Sequence, residues 1–158
     1  MNDELFRAIY VSTATYALRD EELVALLDVA RRNNAAQDIT GALGYHDQTF
    51  IQVLEGPEAA VEALLTTIAH DTRNTRMTVY DRARIDERAF GEWSMGWVPA
   101  SDLTRAGFNP EVLFLRDNPS NLVNAMLEVF RLVVHLRARN KTSRTRRVLA
   151  ILGGWLNR

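Results

Sequence analysis

The chain has no cysteine among its 158 residues. Disulfides, thiolate nucleophiles, cysteine-ligated metals and photochemistry through a cysteinyl adduct are therefore excluded. The three histidines, His46, His70 and His135, lack the spacing of metal ligands, so we predict no metal site. No apolar run approaches the roughly 20 residues that span a membrane. The acidic N-terminus, Met1–Glu4, lacks a signal-peptide pattern, and we expect a cytoplasmic protein.

The overall composition is that of an ordinary globular protein, with 47% apolar and 25% charged residues. The length suits one domain, or a domain of roughly 100 residues with an appendage. Charge is unevenly distributed, because residues 131–158 hold eight basic and no acidic residues while residues 1–130 carry a net charge of −9. This asymmetry indicates either a binding partner or a basic tail that packs against the acidic body.

Hydrophobic periodicity and turn residues predict five strands and two helices before residue 99. Acidic residues at 20–22 begin the first helix and suit its dipole, and Pro57 is allowed in the first turn of the second helix. The polar pair Asp47-Gln48 predicts a hairpin between strands two and three. The predicted strands are Leu5–Ser12, Gly41–His46, Thr49–Glu55, Met77–Ile85 and Trp93–Val98, and the first helix ends near Asn33.

The element order β-α-β-β-α-β with one added strand predicts an α+β fold of the ferredoxin-like plan, with both helices on one face of the sheet. We assign residues 1–98 to this domain. Residues 99–158 are predicted to form a C-terminal helical extension that packs on the sheet or binds a partner. Its helices would begin near Ser120 and Arg144, after a connector broken by Asn109-Pro110 and Asn118-Pro119.

A primary amide, Gln52, interrupts the apolar run of the third strand. An unpaired amide in a core costs roughly 1–3 kcal/mol, so a neighbour or a ligand must satisfy it unless the side chain points to solvent. In the ferredoxin-like plan strands one and three are adjacent, so Tyr10 and Gln52 can form a cross-strand pair. With the amides of Asn33-Asn34 at the end of the first helix, this pair would suit an aromatic heterocycle with imide-like edges.

Each of these features also has a purely structural explanation. Tyr10 can be a core aromatic residue with its hydroxyl at the rim, and Asn33-Asn34 is typical of a helix C-terminus. The segment 71–73 can be a solvated turn, and Trp93 and Met95 can simply form the core face of strand five.

The motifs occur together in an order and spacing that resembles the BLUF domains, blue-light sensors that bind flavin, usually FAD. The resemblance covers about residues 4–98. The segments that carry it are Ile9–Ser12, Asn33-Asn34, Asp38–Leu43, Phe50–Gly56, Asp71–Arg73 and Phe90–Gly96.

The resemblance implies a signalling role for four residues. Tyr10 would be the electron donor to photoexcited flavin. Gln52 would bridge Tyr10 and the flavin ring, and its amide would rotate or tautomerise after light. Trp93 and Met95 would be the alternative neighbours of Gln52 that relay this rearrangement into strand five.

The resemblance also implies a cofactor site for FAD, with FMN or riboflavin as alternatives. Tyr10, Gln52 and Asn34 would contact the ring, with Asn33 nearby. Asp71 and Arg73 would meet the ribityl and phosphate portions. One position departs from the family pattern, since Asn74 stands where histidine is frequent.

By this resemblance the chain is a photoreceptor and not an enzyme, because no cyclase, phosphodiesterase or DNA-binding module is recognised after residue 98. Its output would be a contact with an unidentified protein, and a homodimer or larger homo-oligomer is plausible. Two alternatives are an adaptor that binds nucleic acid or a membrane through residues 131–158, and an acyl-phosphate hydrolase. The hydrolase would need a phosphate-cradling loop that Gly41 and Gly44 do not supply.

Overall fold

The computed structural model describes residues 4–91 and 93–105. Five strands form one sheet in the order β4-β1-β3-β2-β5. Neighbouring strands in the sheet are antiparallel, except that β2 and β5 are parallel. The predicted α+β sheet with an added fifth strand is therefore confirmed. The elements are β1 (Leu5–Ala14), α1 (Asp20–Ala36), β2 (Thr40–His46), β3 (Thr49–Pro57), α2 (Glu58–Ala69), β4 (Asn74–Ile85), β5 (Gly96–Val98) and α3 (Ala100–Arg105).

The two long helices share one core with alternate residues of β1 and β3. Side chains of a strand point alternately to the two faces, so Phe6, Ala8, Tyr10, Phe50 and Leu54 identify the covered face. They form a single buried cluster with Leu23 and Leu27 of α1 and with Val61 and Leu65 of α2. Both helices consequently lie on the same face, as predicted.

The central strand β3 is buried on both sides. Its residues 49–56 are all buried, and on the face away from the long helices Ile51 and Val53 have no exposed surface. Their β1 partners Val11 and Ile9 are equally buried. A polar side chain on β3 therefore has no route to solvent and needs a partner inside the protein.

A two-residue turn joins β2 and β3. Asp47 and Gln48 have positive φ values of 45° and 55°, the backbone of a type I′ turn, whose twist matches that of the flanking strands. The predicted hairpin is confirmed, and its register sets Leu43 opposite Gln52.

Strand five was predicted too long. Ser94 and Met95 form a bend, and of the predicted strand only Gly96–Val98 pairs with β2 in the ladder, although the Trp93 carbonyl accepts a hydrogen bond from the Gly41 N–H at 3.1 Å. The reason is that the carbonyls of Ser94 and Met95 accept hydrogen bonds from side chains of α1 and not from a neighbouring strand. Elsewhere the boundaries differ by a few residues: β1 and α1 end later than predicted and β4 starts earlier.

A short helix, α3, follows β5 and was not predicted. Leu103 of this helix is fully buried on the face away from the long helices. Its side chain packs over Gly44, where a Cβ would lie 2.8 Å from Leu103 Cδ1 and 3.1 Å from Ile51 Cγ2. The predicted boundary between residues 98 and 99 falls just before it. The predicted helices from Ser120 and Arg144 lie outside the described residues.

Gly41 allows β2 to approach β3 closely, and we expect Gly41→Ala to be destabilising. A Cβ at this position would stand 1.9 Å from the carbonyl oxygen of Val53. The strands must separate, so the free energy of unfolding should fall by about 1–3 kcal/mol in urea denaturation. Gly91→Ala is the matched control, because its Cβ would meet Arg88 Cβ at 3.5 Å and Arg88 Cδ at 3.8 Å, both ordinary van der Waals distances. It should change stability by less than about 0.5 kcal/mol. Equal stability of the two variants would contradict the proposed close approach.

Candidate functional site

A tyrosine and a glutamine form a buried hydrogen bond across the two central strands. Tyr10 of β1 lies directly opposite Gln52 of β3 in the antiparallel register. The Tyr10 hydroxyl donates to Gln52 Oε1 at 2.5 Å. The two residues are only 4% and 5% exposed, so the interpretation of Gln52 as a solvent-facing residue is wrong. The predicted cross-strand pair is confirmed.

The environment of Tyr10 keeps its phenol protonated. Burial raises the Tyr10 pKa well above its usual value near 10, and the negative charge of Asp71 raises this pKa further. Because the phenol stays neutral at ordinary pH, it remains a hydrogen-bond donor to the Gln52 carbonyl oxygen.

The other end of the Gln52 amide contacts a methionine. Gln52 Nε2 donates to Met95 Sδ at 3.3 Å, and a thioether is only a weak acceptor. Met95 is 2% exposed. Of the two predicted neighbours of Gln52, the structure therefore brings Met95 to the amide. Trp93 is half-buried, with its ring 6.5 Å from that of Phe90 and packed against Gly96.

Helix α1 holds the segment that carries Met95. Asn34 Nδ2 donates to the Ser94 carbonyl at 3.0 Å, and Arg31 Nε donates to the Met95 carbonyl at 3.0 Å. Asn34 is 2% exposed, so the structure places this predicted site residue beside the cluster. Asn33 lies on the exposed side of α1, and its role stays a prediction.

A buried carboxylate fixes the chain just before this segment. Glu55 of β3 is 1% exposed and accepts hydrogen bonds from the backbone N–H groups of Ala89 at 2.9 Å and Phe90 at 3.0 Å. Arg88 adds hydrogen bonds to the Glu55 carbonyl at 3.2 Å and to the Asp38 carboxylate at 2.9 Å. The strand that carries Gln52 is thus also the anchor for residues 88–90.

The remaining predicted site residues lie at the connection between α2 and β4. Arg73 Nη2 and Nε donate to the Asp71 carboxylate at 2.5 to 3.1 Å. These hydrogen bonds lower the Asp71 pKa, so the carboxylate is ionised at neutral pH. Thr15, which follows β1, donates its N–H to the Arg73 carbonyl and joins this pair to the Tyr10 strand. Asn74 Nδ2 already donates to the Ile68 carbonyl at 2.9 Å.

Sequence reasoning missed three residues that the structure places at or beside this cluster. No sequence signal distinguishes Arg31 from other helical arginines. Glu55 was detectable as a lone acid in a fully buried strand. Ser12 has a buried hydroxyl, and among the described residues it is the one side chain whose buried polar atom lacks a hydrogen-bond partner.

Comparison with known proteins identifies the family. Residues 5–96, more than half of the chain, match the model of a family described as BLUF, sensors of blue light using FAD. The chain belongs to the BLUF family. The Tyr10–Gln52–Met95 cluster lies wholly within the matched BLUF region.

Solved BLUF structures share the fold. The dark-state structure of BlrB, a BLUF protein, has a TM-score of 0.72 at 27% identity and covers 84% of this chain and 99% of its own. The ground state of BlsA has a TM-score of 0.67 at 30% identity over 79% of this chain and 87% of its own. A bacterial light-regulated adenylyl cyclase matches with a TM-score of 0.60 at 27% identity, over 83% of this chain but 36% of its own.

Curated relatives include subunits of a much longer enzyme. The beta subunit of photoactivated adenylate cyclase from Euglena gracilis is 39% identical over 102 residues, which is 64% of this chain and 12% of that protein. The alpha subunit is 30% identical over 126 residues, again 12% of that protein. This chain thus spans about a tenth of the length of the curated relatives that it matches.

BLUF membership favours the sensor over the predicted alternatives. None of the comparisons supports a nucleic-acid or membrane adaptor, and residues 131–158 lie outside the described residues.

Within residues 4–91 and 93–105 no helix has the length and apolarity needed to cross a membrane. The same residues contain no group of three potential metal ligands.

The raised pKa of Tyr10 predicts a loss of stability at alkaline pH. An unfolded tyrosine ionises near its usual pKa, whereas folded Tyr10 stays protonated to higher pH. The Tyr10 contribution to stability is thus complete below about pH 10 and is lost as pH rises above that value, by up to about 1.4 kcal/mol per pH unit. Urea denaturation from pH 9 to 11 should show a shallower decline for Tyr10→Phe than for the unaltered protein. Parallel declines would contradict the buried-phenol assignment.

We expect Glu55→Gln to loosen the segment before Met95. The replacement amide turns one N–H donor toward the backbone N–H of Phe90 or Ala89, so a buried donor loses its acceptor. The free energy of unfolding should fall by about 1–3 kcal/mol, measured by chemical denaturation. Glu62→Gln removes an exposed ion pair with Arg82 and is the control, with an expected change below about 1 kcal/mol. Two changes of equal size would argue against the anchoring role of Glu55.

Proposed function

We propose that this chain is a blue-light photoreceptor in which Tyr10 and Gln52 form the light-responsive pair beside a bound FAD. The observation that carries the proposal is the buried 2.5 Å hydrogen bond from the Tyr10 hydroxyl to Gln52 Oε1. FAD is the choice because the description of the family names it. FMN and riboflavin remain alternatives, since BlrP1 of Klebsiella pneumoniae was solved with FMN.

The residues at the site fit a flavin. Amides at Gln52 and Asn34 suit the carbonyl and N–H groups of the ring edge, and Ser12 has a buried hydroxyl that no described residue satisfies. Asp71 and Arg73 suit the ribityl hydroxyls and a phosphate. Asn34, Gln52 and Tyr10 would hold the flavin ring. Asp71 and Arg73 would hold its ribityl and phosphate portions. When bound, the flavin would supply absorption of blue light and, once excited, a one-electron oxidant for Tyr10.

The proton of Tyr10 moves along the hydrogen bond that already exists. A phenol that has lost an electron becomes strongly acidic, and its proton passes to Gln52 Oε1. Return of the electron and proton to Tyr10 leaves the Gln52 amide rotated or tautomerised, with donor and acceptor exchanged. The altered hydrogen bonds of this amide shift the absorption to longer wavelength.

Met95 is the proposed first relay of the signal. In the described arrangement Gln52 Nε2 donates to Met95 Sδ. An amide that presents its oxygen to the thioether loses this contact, and Met95 must repack or exchange with Trp93. Because Arg31 and Asn34 hold the carbonyls of Met95 and Ser94, the movement biases α1 and β5 together.

The proposed output is a light-dependent contact with a protein that is not identified, and we propose no catalytic activity for the chain. The matched region covers only 36% of the light-regulated adenylyl cyclase and 26% of BlrP1, so in those proteins it is one part of a longer chain. A homo-oligomer, a cytoplasmic location and an appended role for residues 99–158 remain proposals.

Tyr10→Phe tests the photochemistry directly. The variant keeps the ring but cannot supply the proton, so illumination with blue light should no longer produce the reversible red shift of the flavin absorption. Absorption spectra of the purified yellow protein before and after illumination give the measurement.

Tyr45→Phe is the control for this experiment. Tyr45 also faces the long helices, but its hydroxyl accepts a hydrogen bond from the Leu18 N–H at 3.1 Å and not from Gln52. This variant should keep the full red shift. A red shift that persists in Tyr10→Phe would overturn the proposed mechanism, and identical dark and lit spectra of the unaltered protein would overturn the photoreceptor itself.

A further inference from the structure

Ser12 is the buried polar group that the proposed mechanism leaves unused. Ser12 is 1% exposed, and its Oγ has no hydrogen-bond partner among the described residues. A hydroxyl without a partner in a protein interior costs free energy. Native proteins satisfy most such groups with protein, water or ligand atoms.

The hydroxyl lies on the same face of the sheet as the Tyr10–Gln52 pair. Tyr10 and Ala14 both belong to the core cluster beneath the long helices, and Ser12 lies between them on β1. Alternation of side chains along a strand therefore directs Ser12 to that face. Its β3 neighbour in the register is Phe50, another member of the same cluster.

No polar side chain lies directly opposite Ser12 in the register with β3. Phe50 is apolar, and on the other side the ladder with β4 is irregular. Val11 pairs with Thr78 and Thr13 with Thr75, so Ser12 faces a bulge made of Arg76 and Met77. Arg76 has a positive φ of 53°. Bulges of this kind occur beside functional sites, where they redirect side chains.

We propose that Ser12 Oγ is a flavin ligand, hydrogen-bonded to the portion that riboflavin, FMN and FAD share. The inference rests on the proposed flavin site. Ser12 lies two residues from Tyr10, about 6.6 Å along the strand, toward Thr15. Thr15 is joined to the Asp71–Arg73 connection by its N–H and hydroxyl, at 3.0 Å each. Ser12 therefore lies between the groups proposed for the ring and those proposed for the phosphate.

The test compares Ser12→Ala with the unaltered chain. The affinity of each protein is measured for FAD and, separately, for riboflavin. Loss of one neutral hydrogen bond should weaken the affinity for both flavins by the same factor, about 3- to 10-fold, measured by equilibrium dialysis. If the contact is to the ring, the dark absorption spectrum of the bound flavin shifts as well, whereas a contact to the ribityl hydroxyls changes the affinity alone. Ser12→Cys, with nearly the same volume but a weak hydrogen-bonding group, should behave like Ser12→Ala.

Thr49→Val is the matched control. Thr49 is a second buried hydroxyl, 3% exposed, on the opposite face of β3, and its Oγ1 already donates to the Asp47 carbonyl at 3.2 Å. This variant should lose stability but keep its flavin affinity and spectrum.

Unchanged affinity and spectrum in both Ser12 variants would overturn the assignment. A loss confined to FAD would also overturn it, because the contact would then be to the phosphate or adenosine portion. These results are separable from a failure of the proposed function, since they are measured against an unaltered chain that binds flavin. If the unaltered chain bound neither flavin, the photoreceptor proposal would fail first.

Discussion

The hydrogen bond between Tyr10 and Gln52 is the interaction on which the rest of this structure depends. It joins β1 and β3, the two strands that run through the middle of the domain, and it satisfies two polar side chains that have no access to water. A buried amide and a buried phenol are tolerated there because each meets the other. Because the donor in this hydrogen bond is a titratable phenol, a change in the charge of Tyr10 directly alters the hydrogen bond that Gln52 Oε1 accepts.

The neighbours of this pair differ in how firmly they are held. On one side Glu55 and Arg88 anchor residues 88–90 through several hydrogen bonds. On the other side the amide nitrogen of Gln52 donates to the soft thioether of Met95. The backbone of Met95 is nonetheless held by α1. In the proposed mechanism, a rearranged amide would meet little resistance from the Met95 side chain, and the carbonyl contacts would carry a displacement toward the helix.

Predictions from the sequence succeeded where local periodicity and turn chemistry decide the outcome. The hairpin at Asp47-Gln48, the two helices and the neighbouring positions of Tyr10 and Gln52 all followed from spacing and from the ferredoxin-like plan. The prediction for strand five failed at Trp93–Met95. Alternating apolar residues there resemble a strand, but hydrogen bonds from Arg31 and Asn34, some 60 residues earlier, hold the backbone in a bend. No local pattern contains that information.

The sequence by itself determined the family, the order of elements and the pairing of a phenol with an amide, because these depend on residue types at regular intervals. Only the tertiary structure decided that Met95 accepts the hydrogen bond of the Gln52 amide and that Glu55 anchors the chain beside the site. It also decided that the Ser12 hydroxyl has no partner among residues 4–91 and 93–105. These features depend on which side chains from distant segments meet in a solvent-free interior. There, an unpaired donor costs free energy, and the three-dimensional packing decides which acceptor each donor meets.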